Sequence, residues 1–199
     1  MILAVPFTSQ APFGNWQDLR QEDGCEEAST LMVMRWAQSG ALTPQEAEQE
    51  IIAISEYEQQ NYGDFRETSI KDTAERILAG YFDYKNFEVR YSITSQDIKD
   101  ELYKNRTVIV AVNGQKLANP FYTPPGPRDH MLVIRGYDNN TKEFIANDPG
   151  TRRGEGFRYH EATIDMALQD YPTGNHGPIT EVVGAMISVT RPTELSSPN

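Results

Sequence analysis

Three side chains in this sequence are of the types that nucleophilic catalysis requires: Cys25, His130 and Asp148. Cys25 is the only cysteine of the chain, so it has no partner for an internal disulfide and its thiol is free to react. It lies in the segment Gly-Cys-Glu-Glu-Ala-Ser at 24–29, which is followed by apolar residues with helical spacing, and this places the thiol at a helix N-terminus. Unpaired N–H groups and the helix dipole favour the thiolate there, so the sequence predicts a lowered pKa for this thiol.

The alternative for Cys25 is a structural one. Free cysteine is among the most buried residue types, and it often serves as a small apolar side chain within a core. The residues around Cys25 do not separate the two interpretations. The placement of His130 and Asp148 further along the chain favours the catalytic one.

His130 begins one predicted strand, and Asp148 directly follows the next, with a turn at 138–140 between them. If these strands pair as a hairpin, the two side chains are neighbours at its open end. A carboxylate in that position orients an imidazole and stabilises its charged form, while the imidazole deprotonates a nucleophile. His160 lies beside an acidic residue and His176 in a glycine-rich loop, so we interpret both as surface residues.

Acyl transfer also needs hydrogen-bond donors aimed at the oxyanion that develops on the attacked carbonyl. The backbone N–H of Cys25, at its helix start, can be one of them. For a side-chain donor, the N-terminal segment offers Gln10, whereas Gln17 and Gln21 are closer to Cys25 along the chain. Proximity in sequence does not choose among the three glutamines.

Composition excludes several classes of function. The net charge is −11, and the lysines and arginines are scattered, which makes nucleic acid and anionic membrane surfaces poor partners. One cysteine and three histidines cannot build a closed zinc site of the Cys/His type, and the sequence contains no EF-hand or P-loop motif. We therefore expect no metal and no organic cofactor.

The sequence contains no clear signal for membrane insertion or secretion. No apolar run approaches the roughly 18 residues of a membrane span. The apolar start, residues 1–5, is too short and lacks the basic residues of a signal peptide. Two expectations stay open: a cytoplasmic protein, or an extracellular or cell-surface one whose leader or anchor has been removed.

The first half of the chain is predicted to be mainly helical. A helix from Cys25 is broken at 39–40, where Ser-Gly interrupts the pattern. Thr43, followed by proline and by Glu46 at the third helical position, is typical of a capped helix start. A third helix is predicted over 68–78.

The second half is predicted to be mainly strands. They cover residues 87–93, 108–112, 131–137, 143–146, a short stretch near Phe157, and 182–189, with short helices over 94–103 and 162–168. A long loop rich in proline and glycine, 114–128, is of a length that is often functional. The tail from Arg191 is predicted to be frayed. The pattern indicates one α+β domain over residues 1–199, with helices first and an antiparallel sheet second.

Four segments follow one another in a distinctive order: Val-Pro-Phe-Thr-Ser-Gln at 5–10, Gly-Cys-Glu-Glu-Ala-Ser at 24–29, His-Met-Leu-Val-Ile-Arg-Gly-Tyr-Asp at 130–138, and Asn-Asp-Pro at 147–149. In this order they resemble a known family, the C39-like cysteine peptidases. Members of that family have papain-like folds and are related to the bacteriocin-processing peptidase domains of ABC exporters. The resemblance extends from about residue 5 to residue 189. Many family members have Gly-Pro after the cysteine, where this chain has Glu-Glu.

The resemblance implies a role for each of four residues. Cys25 is the nucleophile, His130 the general base, Asp148 the orienting acid and Gln10 the oxyanion donor. It also implies a cysteine peptidase that hydrolyses peptide bonds of a peptide or protein substrate through a thioester acyl-enzyme. The helical segment 43–80 has no assigned counterpart, and we expect it to contribute to the substrate cleft.

Two alternatives stay open. The same three side chains could pass the acyl group to an amine instead of water, which would make the protein an acyltransferase similar to transglutaminases. The scaffold could also serve as a binding domain without catalysis. A product assay with and without added amine separates the first alternative from hydrolysis, and thiol titration tests the second.

Overall fold

Six strands build a single antiparallel sheet in the computed structural model, which describes residues 2–192. They are β1 (Phe87–Tyr91), β2 (Thr107–Val112), β3 (His130–Asp138), β4 (Glu143–Asn147), β5 (Phe157–His160) and β6 (Ala185–Val189), and their order across the sheet is β1-β6-β2-β3-β4-β5. The α+β class predicted from the sequence is confirmed. The tail predicted to be frayed lies outside the described residues beyond Pro192.

Helices precede the sheet and connect its strands. They are α1 (Leu19–Glu22), α2 (Cys25–Ala37), α3 (Pro44–Tyr62), α4 (Ile70–Asp72), α5 (Ser95–Tyr103), α6 (Gly114–Leu117) and α7 (Glu161–Ala167), with a π-helix (Thr73–Tyr81) that continues α4. The capped start predicted at Thr43 is present: its hydroxyl accepts from the N–H of Glu46, whose carboxylate accepts from the Thr43 N–H. Among the described residues, no helix combines the length and apolar character that crossing a membrane requires.

The third predicted helix differs from its prediction in type. Only Ile70–Asp72 is α-helical, and Thr73–Tyr81 winds as a π-helix with one extra residue per hydrogen-bonded turn. Ala74, Ile77 and Leu78 are buried in it. Apolar residues spaced three and four apart lie on one face of either helix type, so the sequence pattern does not distinguish them.

The buried strand β2 lies inside the sheet, between β6 and β3, and all of its residues are buried. The continuous apolar run 108–112 predicted this position. Helix α2 covers this part of the sheet, since Met32, Val33 and Trp36 belong to the same apolar cluster as Val110. The hydroxyl of Ser29 donates to the carbonyl of Met131 at 3.3 Å, which ties the first turns of α2 to the start of β3.

Helix α3 packs behind α2 rather than around a cleft. Ala28 and Leu31 of α2 form a second apolar cluster with Ala47 and Ile51 of α3. Two carboxyl groups are buried nearby. Burial raises the pKa of Glu58 to about 9, and burial together with the charge of Glu58 raises that of Glu27. Both oxygens of Glu58 lack a hydrogen-bond partner among the described residues.

This burial predicts a stability that falls with rising pH. The folded state holds a proton on Glu58 up to about pH 9, whereas the unfolded chain releases it near the ordinary pKa of 4.5. The free energy of unfolding therefore decreases with each pH unit between these values. The Glu58→Gln variant keeps the shape and removes this cost. We expect it to melt about 3–8 °C higher than the parent protein at pH 8 and at the same temperature near pH 4.

Thermal unfolding followed by circular dichroism across pH measures this. Glu56→Gln is the matched control, because Glu56 lies on the same helix, is exposed, and pairs only with the partly exposed Arg20. Equal melting curves for Glu58→Gln and the parent protein at pH 8 would show that Glu58 is not held protonated.

Candidate active site

His130 and Asp148 are brought together by the β3–β4 hairpin. Residues 138 and 143 pair next to the turn, and residues 133 and 147 pair near the open end. One residue beyond β4, the Oδ1 atom of Asp148 lies 2.9 Å from Nε2 of His130. Both side chains are almost fully buried. The ring is therefore held at Nε2, which leaves Nδ1 as the nitrogen available for other chemistry.

The second oxygen of Asp148 is held by three donors. Oδ2 accepts from the hydroxyl of Tyr122 at 2.6 Å, from that of Tyr159 at 2.5 Å, and from the amide of Asn119 at 3.1 Å. Asn119 and Tyr122 come from the loop 114–128, which the sequence indicated as functional. Their specific contacts with Asp148 carry no local sequence signal.

These contacts keep Asp148 charged. Burial by itself raises its pKa, but the His130 imidazole and the tyrosine hydroxyls outweigh burial and hold the pKa below the ordinary range. Burial and the Asp148 charge raise the pKa of both Tyr122 and Tyr159, so both hydroxyls stay protonated and donate. The result is a fixed negative charge behind the imidazole.

The backbone at Gly150 packs so closely against His130 and Tyr122 that there is no space for a side chain. Its N–H donates to Asp148 Oδ1 at 3.0 Å. A Cβ atom at this position would lie 3.0 Å from ring carbons of both His130 and Tyr122. A residue larger than glycine would therefore displace the imidazole or the tyrosine.

Cys25 begins helix α2, as predicted, and its thiol points toward the start of β3. Its Sγ atom accepts from the N–H of Met131 at 3.4 Å and donates to Oε2 of Glu26 at 2.9 Å. The other oxygen of Glu26 accepts from the Tyr171 hydroxyl at 2.8 Å and the Thr68 N–H at 3.1 Å. Glu26, which stands where many family members have glycine, is thus the direct hydrogen-bond partner of the thiol.

The predicted lowering of the Cys25 pKa is wrong for this structure. Burial raises the pKa of the thiol, and the adjacent carboxylate of Glu26 raises it further, whereas only the Met131 N–H acts in the opposite direction. A helix N-terminus favours a thiolate, but Cys25 is just 6 % exposed and lies beside an acid. The resting form is the protonated thiol.

Glu26 itself has an unusual titration. Burial raises its pKa to about 7, although its hydrogen bonds from Cys25 and Tyr171 oppose the rise. This carboxyl group therefore changes its charge near neutral pH, directly against the thiol. The sequence analysis treated Glu26 only as a difference from the family pattern and missed this contact.

Gln10 reaches the site through the N-terminal segment. The side-chain amide of Asn147, the last residue of β4, donates to the carbonyls of Val5 and Pro6 at 3.1 and 3.2 Å. Further on, the N–H of Gln10 donates to the carbonyl of Pro149 at 2.9 Å. These bonds hold the segment along the turn that carries Asp148.

The three glutamines have different positions. Gln10 is buried, lines the same cavity as Cys25, and donates its amide to the carbonyl of Glu22. Gln17 is exposed. Gln21 is buried and directs its amide toward Glu48 of α3, at 3.3 Å. Of the three glutamines, only Gln10 lines the cavity described here.

A cavity of about 710 Å³ joins these residues. Cys25, His130 and Gln10 line it, together with aromatic side chains that include Trp16 and Tyr122. Of the helical segment 43–80, only Glu67 contributes to the lining described within residues 2–192. We expected this segment to contribute to the cleft, and among the described residues it does so through Glu67 alone, because α3 packs behind α2.

The other two histidines lie elsewhere. His160 is exposed and accepts from the N–H of Ala162 at 3.2 Å, which caps helix α7. His176 is exposed and lies at the cavity rim, where its Nδ1 atom is 2.6 Å from Glu67. Like His130, neither forms a hydrogen bond with Cys25 among the described residues.

Comparison with known proteins identifies the family of this chain. The model of the Peptidase_C39 like family matches residues 2–171. The chain belongs to the Peptidase C39-like family. No curated protein matches it.

A solved structure similar to this member of the Peptidase C39-like family is that of a candidate C39-like peptidase from Bacillus anthracis. The TM-score is 0.53 at 14 % sequence identity, over 96 % of this chain and 97 % of the other. At that identity the likeness concerns the fold alone. It agrees with the α+β, papain-like class that the sequence predicts.

Proposed function

We propose that this protein is a cysteine peptidase that hydrolyses peptide bonds, with Cys25 as nucleophile and His130 and Asp148 as its activating pair. The observation that carries the proposal is the buried pair of His130 and Asp148, 2.9 Å apart, in which His130 lines the same cavity as Cys25. A charged, fully buried aspartate held by five donors is a costly arrangement for a structural turn. Membership of the Peptidase C39-like family supports the reaction class.

The first chemical step forms a thioester. The Sγ atom of Cys25 attacks the scissile carbonyl carbon, and its proton passes to Nδ1 of His130, the nitrogen that does not face Asp148. Asp148 stabilises the resulting imidazolium. The N–H of Cys25 and the amide of Gln10 donate to the oxyanion. Collapse of the intermediate breaks the C–N bond, and the imidazolium returns the proton to the leaving amine.

The second step regenerates the thiol. His130 removes a proton from a water molecule, which attacks the thioester carbonyl. The C–S bond then breaks to release the acid, and the imidazolium returns its proton to the sulfur. Because burial and Glu26 keep the resting thiol protonated, this mechanism does not use a preformed ion pair. The thiol must leave Glu26 and lose its proton when the substrate is bound.

The hydrogen bond from Cys25 to Glu26 also supports a second candidate, a non-catalytic binding domain. In that case Glu26 holds the thiol permanently and the cavity only binds peptide. Glu26 restrains the resting thiol in both functions, and they differ in whether a bound peptide is hydrolysed.

Glu26→Gln is expected to accelerate alkylation of Cys25 by iodoacetamide at pH 8 by about tenfold, because the carboxylate that opposes the thiolate is gone. Below pH 6 the variant and the parent protein should converge, since Glu26, with its pKa near 7, is then protonated. Intact-mass spectrometry against time measures both rates.

The matched control is Glu22→Gln, which removes an exposed carboxylate of the same cavity away from the thiol. Equal alkylation rates for Glu26→Gln and the parent protein at pH 8 would show that Glu26 does not restrain the thiol.

Gln10→Ala is expected to lower the maximal rate of peptide hydrolysis by about 10²–10³ with little change in KM, because one oxyanion donor is lost only in the transition state. Gln21→Ala is the comparison, a buried glutamine whose amide points toward α3. Steady-state kinetics on a peptide cleaved by the parent protein tests both. A loss in Gln21→Ala but not in Gln10→Ala would place the donor elsewhere.

The experiment that tests the proposed function is digestion of a defined peptide library, with products identified by mass spectrometry. Hydrolysis gives free acids, whereas transfer to an added amine gives amides of correspondingly higher mass. Cleavage that disappears when Cys25 is alkylated supports the proposal. Peptide binding without any product supports the binding domain.

A further inference from the structure

Three side chains meet at the rim of the cavity without a role in the proposed reaction: Glu67, Asp129 and His176. One oxygen or nitrogen of each lies within 4.8 Å of the corresponding atoms of the other two. Glu67 comes from the segment before α4, Asp129 directly precedes β3, and His176 belongs to the loop after α7. Three parts of the chain therefore converge on one point.

Asp129 has an unfilled bonding position there. Its side chain is 1 % exposed, and its Oδ2 atom pairs with Arg128 at 2.5 Å. The other oxygen, Oδ1, is buried and has no hydrogen-bond partner among the described residues. A buried carboxylate oxygen without a partner is costly, so its position calls for a cation or another donor.

The other two groups are already held in place. Nδ1 of His176 lies 2.6 Å from Oε1 of Glu67, and the backbone N–H of His176 donates to the second oxygen of that carboxylate. The N–H of Gly174 donates to the Glu67 carbonyl at 2.9 Å. The loop around His176 is thus fastened to Glu67.

The charge around the cluster is negative. The lining of the cavity carries five carboxyl groups, of Glu22, Asp23, Glu26, Glu67 and Asp129, against three guanidinium groups, of Arg128, Arg152 and Arg153. Arg128 neutralises one oxygen of Asp129 and also donates to the Gly177 carbonyl at 2.9 Å. An excess of carboxylates over nearby cations favours a bound cation.

We propose that Glu67, Asp129 and His176 bind a divalent transition-metal ion of the Zn²⁺ class at the cavity rim. One imidazole nitrogen and two carboxylate oxygens are a donor set suited to Zn²⁺, whereas Ca²⁺ and Mg²⁺ prefer oxygen alone. Tetrahedral bonds of about 2.0 Å need donors about 3.3 Å apart. Donor atoms at the limit of 4.8 Å must therefore approach by about 1.5 Å, and the 2.6 Å contact between His176 Nδ1 and Glu67 Oε1 must open by about 0.7 Å. Water completes the fourth position.

From the sequence we expected no metal, because one cysteine and three histidines cannot build a closed Cys/His site; this set uses two carboxylates instead. The ion would link the loop around His176 to the residue beside His130. The site does not depend on Cys25 and is independent of the proposed peptidase activity, so each can fail without the other.

Isothermal titration of Zn²⁺ into the full chain carrying Cys25→Ser tests the proposal, since this background removes the thiol as a competing ligand. We expect one Zn²⁺ per chain and, at a hundredfold excess over Kd, a melting temperature raised by about 5–10 °C. Asp129→Asn and His176→Asn should each weaken binding by at least about tenfold. Asparagine suits position 176 because the backbone there has a φ of 52°.

His160→Asn is the matched control, because it removes an exposed imidazole while asparagine keeps the cap of α7. It should bind Zn²⁺ as the background protein does. Absence of binding to the background protein would overturn the proposal, as would equal affinity in all variants or selective binding of Ca²⁺ over Zn²⁺. If Asp129→Asn does not fold, Glu67→Gln provides the second ligand test.

Discussion

Replacement of Cys25 by alanine is expected to abolish peptide hydrolysis while the fold survives. In the proposed mechanism the sulfur atom forms the thioester, and alanine has no group that can attack the scissile carbonyl. We expect the maximal rate to fall by about 10⁴–10⁶. The fold should persist because Cys25 contributes only hydrogen bonds to Glu26 and Met131 and a small apolar volume.

Digestion of the peptide library measures the loss, and circular dichroism measures the fold. Thr30→Ala is the matched control: Thr30 is buried in the same helix, and its hydroxyl donates only within that helix. It should cleave normally. Residual hydrolysis in Cys25→Ala within tenfold of the parent protein would exclude the covalent mechanism.

Asp148→Asn is expected to lower the maximal rate by about 10²–10⁴. The groups around Asp148 all present donors to it: His130, Tyr122, Tyr159, Asn119 and the Gly150 N–H. An asparagine side chain has one acceptor oxygen and one amino group. The donors that face the amino group therefore lose their acceptor. If the amino group faces the imidazole, the ring is forced into the wrong tautomer for accepting the thiol proton.

Because the substitution also affects a buried network, the kinetic constants are measured on protein whose folded fraction is known from thermal melts. Asp138→Asn is the control, a carboxylate at the turn end of the same hairpin that pairs with the exposed Arg158. Tyr159→Phe removes one donor to Asp148 but keeps its bond to His130, and should cost less. Unchanged turnover in Asp148→Asn would reduce this residue to a turn former.

The parts of the site that follow from local pattern could be predicted. A hairpin brings its open ends together whatever else the chain does, so residues on either side of the turn sufficed to place His130 beside Asp148. Likewise, an apolar repeat following Cys25 was enough to start helix α2 there. These inferences need only strand pairing and helix periodicity.

What depended on distant contacts could not be predicted. The position of Gln10 follows from hydrogen bonds of Asn147 to the N-terminal segment, more than a hundred residues away in sequence. The raised pKa of Cys25 follows from burial and from Glu26, whose own titration depends on Tyr171 in a distant loop. A helix N-terminus by itself indicates a lowered pKa and a thiolate. The packing around Cys25 raises the pKa of this thiol instead.

The measurement that tests the central claim most directly is intact-mass and peptide-map spectrometry of the protein treated with a peptide-based acylating or alkylating probe, with hydrolysis assayed on the same samples. We predict one modification per chain, located on Cys25, and a loss of hydrolysis proportional to the modified fraction. Full hydrolytic activity in protein whose Cys25 is completely modified would contradict the assignment of Cys25 as the nucleophile.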